Sequence, residues 1–379
     1  MKFTMYRLFV ILLFTFSLYI ETIHCKSRYV YSLIDSPTRT NRSSGLISSV
    51  SIKEFPILKG LSMRYISINS SSIREPHWHA NADELGYCLN GSALITIFGD
   101  DNDHNSFLVK QGEMYYVPSG YLHHIENFDM KFPTQFVVTF THELPEDFGL
   151  SSTFFAMTNA VLGNTFQLSS SAFQRIEHRQ VATVFGFKND STKNKILREF
   201  EYPNKYHFNA EGLSAKILNS EGIVKTITKN VWPILKDVSM YSLRITTNGM
   251  REPHWHPKTA EMGYVIEGRA RMTVLSPGDE QRFETYTLQA GDMYFIPRAY
   301  PHHIENIGNV TTRFLVFFDQ SVPGDIGLTG SFSAYSRETL TATLDCQLEH
   351  LPQFPFYPKS LLIVKRINPV DPIKTNERK

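Results

Sequence analysis

The chain contains itself twice. Phe55-Pro-Ile-Leu-Lys-Gly-Leu-Ser-Met63 returns as Trp232-Pro-Ile-Leu-Lys-Asp-Val-Ser-Met240, and Arg74-Glu-Pro-His-Trp-His79 returns as Arg251-Glu-Pro-His-Trp-His256. His123-His-Ile-Glu-Asn127 returns as His302-His-Ile-Glu-Asn306, and Asp147-Phe-Gly-Leu150 as Asp325-Ile-Gly-Leu328. The order is kept at a spacing of 177–179 residues, far longer than the ~20–50 residues of a solenoid repeat, so each copy is a whole domain. The 379-residue length accommodates two such domains. With 38 basic and 37 acidic side chains the net charge is +1, which excludes a strongly cationic nucleic-acid binder.

Each copy reads as a series of short strands. Ala93–Phe98 and Ala270–Leu275 are β-rich runs, and the second alternates apolar with polar. Met114–Val117 and Met293–Ile296 are apolar and each is stopped by a proline; Phe136–Phe140 and Arg313–Phe318 are similar. Turn pairs such as Asn90-Gly91 and Glu267-Gly268 separate them. The pattern predicts an all-β sandwich or barrel. Weak helical patterning is confined to Ser152–Leu162 and Ser331–Thr343, and residues 168–205 read as a linker of helical character.

The first residues have a separate role. Lys2 and Arg7 precede the apolar run Leu8–Ile20, with polar residues and Cys25 after it, the layout of a secretory signal peptide and too short for a bilayer span. Export agrees with sequons at Asn41, Asn69, Asn90, Asn189 and Asn309. Once the leader is removed, the expectation is a secreted protein that engages neither membrane nor nucleic acid. Its remaining cysteines, Cys88 and Cys346, lie one in each half; a bridge between them is an option, but Cys88 reads better as a small buried apolar residue.

His77 and His79 are two apart, which on a strand turns both imidazoles to one face. Glu84 follows five residues later and His123 after a Gly/Pro-rich turn; the second copy repeats the set as His254, His256, Glu261 and His302. Three imidazoles and a carboxylate suit a divalent transition metal, whether manganese, iron, nickel, copper or zinc, and leave two positions of an octahedron open. His124 and His303 are adjacent alternatives, but alternation along a strand lets only one of each pair face inward.

These residues resemble the two signature motifs of the cupin superfamily: His77, His79, Glu84 and Gly91, then Gly112, Pro118, Gly120, His123 and Asn127. The second copy matches at His254, His256, Glu261, Gly268, Gly291, Pro297, His302 and Asn306, with Ala299 in place of the turn glycine. The resemblance implies a bicupin: two tandem double-stranded β-helix (jelly-roll) barrels, each holding one metal and followed by a few helices. The expected division is a signal at 1–25, an extension at 26–47, cupin domains at 48–167 and 206–379, and a linker at 168–205. Among bicupins the Arg-Glu-x-His-Trp-His string is most similar to the oxalate decarboxylase family, which implies two Mn²⁺ ions, dioxygen as co-substrate, and oxalate or a similar small carboxylate. In that family the arginine three residues before the first histidine polarises the bound carboxylate; here it is Arg74 or Arg251. A guanidinium fork suits that role physically. Relatives often assemble, so a homo-oligomer is expected.

The family's proton-donating glutamates do not carry over. One falls on Leu150, within Phe148–Phe154, and the other on Val316, within Phe314–Phe318. The resemblance therefore also allows an oxalate oxidase-like activity, an enzyme for a larger acid or enol, or a metal-binding or storage cupin without turnover. Glu75, Glu126, Glu252 and Glu305 are the acids nearest in sequence and read as supports around the site.

Overall fold

The computed structural model describes residues 25–36, 40–127, 129, 131–179, 181, 183–187, 203–278 and 282–368. All of the leader except Cys25 lies outside them, as do Asn189 and, in the linker, residues 180, 182 and 188–202. Among the described residues no helix is long and apolar enough to cross a membrane. The chain divides into two compact units, one comprising Ser36–Lys53 and Leu61–Gly212, the other Met1–Asp35, Glu54–Gly60 and Leu213–Lys379.

In the first unit, a sheet runs in the order His207–Phe208, Met114–Val117, Glu84–Asn90, Thr134–Phe140, Ser62–Ile68, Gly45–Val50 and Thr40–Arg42. A second sheet runs Asp147–Gly149, Ser72–His79, Leu122–Asn127, Ser92–Phe98 and His104–Lys110. The other unit repeats this design, with Asp292–Ile296, Glu261–Glu267, Thr312–Phe318 and Ser239–Ile245 central in one sheet. Arg269–Ser276, His302–Asn306 and Gly249–Trp255 carry its other sheet. Pairing is antiparallel throughout. The alternation read in Ala270–Leu275 is real: Ala270, Met272 and Val274 are buried, and they join Tyr29, Val265, Ile304 and Phe314 in the core of that unit.

Two segments are used in ways the repeat does not announce. Val30–Ser32, in the stretch read as an extension, pairs with Asp292–Tyr294 in the sheet of the second repeat. His207–Phe208 pairs with Met114–Tyr115 in the sheet of the first. The helical reading of the linker falls in part on residues 188–202, which lie outside the described residues; the described part of the linker holds a 3₁₀ turn at Ser170–Phe173 and a strand, Phe185–Phe187, that pairs with Ser72–Arg74. The helices after the barrels are Leu150–Ala156 and Asn159–Phe166, then Leu328–Ser333 and Arg337–Leu344. Cys88 and Cys346 are free thiols, and burial pushes the Cys88 thiol up to about 12.

Candidate metal centres

Strand periodicity alone would not place Arg74 beside His77, because three residues of a strand separate opposite faces. The ladder shows how it happens: His77 pairs with His123, but Arg74 pairs with Ile125, so three steps on one strand match two on the other. The same irregularity recurs where His254 pairs with His302 and Arg251 with Ile304. The extra residue of this bulge falls in Glu75-Pro76 and Glu252-Pro253, where a proline without an N–H costs no ladder bond. The bulge turns the arginine inward with the histidines: Arg74, His77 and His79 are all buried, as are Arg251, His254 and His256.

Both predicted ligand sets come together. The ligand atoms of His77, His79, Glu84 and His123 lie within 4.8 Å of one another, as do those of His254, His256, Glu261 and His302. His124 and His303 face away, towards Glu126 at 3.9 Å and Glu305 at 3.1 Å. Glu84 Oε2 sits 2.7 Å from His79 Nε2 and 3.2 Å from His123 Nε2. Glu261 Oε2 sits 2.8 Å from His256 Nε2 and 3.3 Å from His302 Nε2. Ligands about 2.1 Å from an ion stand about 3 Å apart when adjacent, so the spacing fits.

The far ring nitrogens set the tautomers. Nδ1 of His77 donates to the Glu75 carbonyl (2.8 Å), and Nδ1 of His123 to the Tyr121 carbonyl (3.1 Å). In the second copy His254, His256 and His302 donate to the carbonyls of Glu252, Gly324 and Tyr300 at 2.7, 2.6 and 2.9 Å. A carbonyl only accepts, so these Nδ1 atoms carry the proton and the Nε2 lone pairs converge on the carboxylate. A buried knot of lone pairs and negative charge is completed by a cation. Tyr115 and Tyr294 fix the other oxygen of each glutamate, donating to Glu84 and Glu261 at 2.6 Å. Each ring can lie there only because its strand neighbour is glycine: a Cβ on Gly86 or Gly263 would stand 2.1 or 2.0 Å from the tyrosine ring.

The two centres differ in their surroundings. In the first, His79 Nδ1 donates to Asp147 (2.7 Å), and Arg64 clasps the same carboxylate with two N–H groups at 2.6 and 2.9 Å. Burial favours the neutral acid, but Arg64 and then His79 outweigh it and hold Asp147 well below the carboxylate range. Arg74 lies 3.7 Å from the same carboxylate. In the second, Arg251 makes a short ion pair with Asp325 and donates to the Leu362 carbonyl at 3.2 Å. A cavity of about 10 Å³, roughly one water, is lined there by Tyr241, Arg251, His254, His256, Glu261 and Val316 among others.

A model of the family described as Cupin matches residues 32–174 and again 208–350. This chain belongs to the cupin family. As a bicupin it is similar, at 29% identity over 86% of its length and 84% of the relative's, to oxalate decarboxylase OxdC of Bacillus subtilis. A probable oxalate decarboxylase of Arthroderma benhamiae is 23% identical over 82% of this chain and 77% of its own. A single-barrel-length relative, germin-like protein subfamily T member 2 of Arabidopsis thaliana, is 28% identical over 40% of this chain and 72% of its own. A solved structure of oxalate decarboxylase concerned with its substrate binding mode superposes with a TM-score of 0.78 at 25% identity, covering 89% of this chain and 88% of the other.

Sequence reading had no role for several residues that build this bicupin's sites. Asp147 and Asp325 stood in a repeated string, and Tyr115 and Tyr294 recur at matched positions, so the recurrence was the available signal. Glu75 and Glu252 do support the site, but through its covers: Glu75 accepts from Ser151 and Val184 N–H, and Glu252 from Thr329 and Leu362 N–H. Glu305 is clasped by Arg271 and Arg366, each at 3.0 Å.

The histidines also set an acid response for the metal-free protein. Burial first, then the nearby arginine, holds His77 and His254 well below the ordinary imidazole value. Below about pH 6.5 the unfolded chain takes up protons at these positions and the folded chain does not, so each costs about 1.4 kcal/mol per pH unit as pH falls. In the first barrel His79 works the other way: burial opposes its protonation, but Asp147 and Glu84 outweigh it and raise its pKa, so it favours the fold below pH 6.5. The expected result is that, between pH 7.5 and 5, the second barrel loses stability more steeply. Calorimetry of chelated protein checks this; a steeper loss in the first barrel would contradict it.

Proposed function

We propose that this bicupin is a secreted, manganese-dependent enzyme that cleaves oxalate or a similarly small carboxylate in the presence of dioxygen. One observation carries the reading: two buried sets of three histidines and a glutamate, each with an arginine brought inward by a bulge, in a chain similar along most of its length to oxalate decarboxylases. Manganese is favoured because solved structures of the Bacillus relative concern its Mn(II) centres, although the donor set also suits iron, nickel, copper or zinc. A divalent ion held there would act as Lewis acid towards one carboxylate and relay electrons to and from dioxygen.

The protein's own groups account for the rest. Arg251, or Arg74 in the other copy, offers a cationic fork to the second carboxylate of a dianion. The narrow second cavity, with Leu243, Ile304, Val316 and Phe318 on its apolar side, excludes large substrates and limits water. Four sequons, Asn41, Asn69, Asn90 and Asn309, are exposed, as glycosylation of an exported chain requires.

An oxidase outcome is the second reading, and Leu150 and Val316 favour it. Where the resemblance places proton donors, Leu150 is a half-exposed apolar residue opening a helix and Val316 is a buried one in the cavity wall. Decarboxylation adds a proton to the remaining fragment, giving formate and one carbon dioxide, so it needs a positioned acid. Oxidation delivers two electrons and two protons to dioxygen, giving peroxide and two carbon dioxides. Manganese-loaded protein supplied with oxalate and air is expected to release carbon dioxide; formate identifies the decarboxylase, and peroxide the oxidase. Release of none of the three would overturn the proposal.

A further inference from the structure

The two copies differ most where they ought to agree. Arg64 and Tyr241 occupy matching places: Arg64 pairs across the sheet with Val138, and Tyr241 with Val316. Both lie against a matching phenylalanine, Arg64 over Phe140 at 4.6 Å and Tyr241 edge-on to Phe318 at 4.8 Å. In the first copy the position is spent: Arg64 gives two N–H groups to Asp147, which also accepts from His79 and faces Arg74. In the second the exchange to tyrosine frees the aspartate, and Asp325 turns to Arg251. Two polar groups are then left unmet. Asp325 Oδ1 is buried with no hydrogen-bond partner, and the Tyr241 hydroxyl makes no hydrogen bond among the described residues.

Tyr241 is buried, yet it lines the cavity that also holds Arg251, His254, His256 and Glu261. The atom buried without a partner is Asp325 Oδ1, at a cost of about 1–3 kcal/mol. The Tyr241 hydroxyl keeps some exposure and presents an unused polar hydrogen at the cavity, where a bound molecule can accept it. Its strand partner is Val316, the position where a proton donor was expected and an apolar residue stands. The sheet thus carries a polar hydrogen one strand over from where it is missing.

We infer that Tyr241 is a substrate-contacting residue, donating its hydroxyl hydrogen to a small carboxylate bound beside Arg251, and that the second barrel is therefore the one that takes the substrate. This rests on the proposed function. Burial, reinforced by Asp325, raises the phenol's pKa, so it remains a donor at any working pH. The first barrel, with both arginines gathered on Asp147, has no spare donor at this position and binds its ion in a braced cage.

The test is Tyr241→Phe, which keeps the ring on Phe318 and removes only the hydroxyl. Oxalate binding is measured by calorimetry on manganese-loaded protein without dioxygen, alongside metal content. The expected result is about two ions per chain, as in the parent, with oxalate bound about 10- to 100-fold more weakly. Equal affinity overturns the role of Tyr241 and leaves the proposed function standing; no oxalate binding by the parent protein overturns both. Should Y241F fail to fold, the ultraviolet difference between free and oxalate-bound parent protein decides. A perturbed tyrosine band supports the contact, and a flat one overturns it.

Discussion

Replacing His254 with alanine is expected to lower bound metal from about two ions per chain to about one, with the first barrel's ion retained. The geometry makes the effect large. Its Nε2 is one of four converging donors, its Nδ1 is fixed by the Glu252 carbonyl at 2.7 Å, and no neighbour stands ready to replace it, since His303 is turned to Glu305. His77→Ala should do the same to the other barrel, and the double variant should bind almost none. Elemental analysis, with circular dichroism to confirm the fold, reads the result. Two ions per chain in both single variants would mean that the histidine clusters are not the metal sites.

Arg251→Lys carries the second large effect. Lysine keeps the charge that faces Asp325 but not the planar fork, whose Nη1 and Nη2 are held by the Leu362 carbonyl and the Asp325 carboxylate. Turnover of oxalate, measured as kcat/KM, is expected to fall about 10- to 100-fold, the worth of a hydrogen bond to a charged group, while metal content stays at the parent level. Arg74→Lys is the comparison: the arginine whose replacement costs more marks the barrel that binds substrate. No change in either variant would remove arginine from the proposed chemistry.

The ligands were legible because duplication supplies its own control: a histidine that recurs at matched spacing with its partners is seldom incidental. The barrels were legible for a similar reason, since short apolar runs closed by turn residues leave few other ways to bury them. What escaped depended on relations between strands. The inward turn of Arg74 needs a bulge, which appears only in the ladder between Ser72–His79 and Leu122–Asn127. The segment 168–205 has no clear period, so Phe185–Phe187 takes its strand form from the edge it joins rather than from its own pattern. Position 299 kept its left-handed backbone, φ +64°, without the glycine that motif reading wanted, at a local cost of about 1–2 kcal/mol. Reading only what the copies share also hid the exchange of Arg64 for Tyr241.

The strand Val30–Ser32 ties the order of biosynthesis to the completion of the second barrel. It leaves the ribosome well before its partner Asp292–Tyr294, which is made some 260 residues later. Until then the strand has no ladder to join, and a nascent chain cut short before that point leaves it unpaired, prone to associate with whatever edge it meets. The later repeat expressed alone would show the converse fault, a bare edge along Asp292–Ile296, so gene halves split at the midpoint should be poorer folders than the intact tandem.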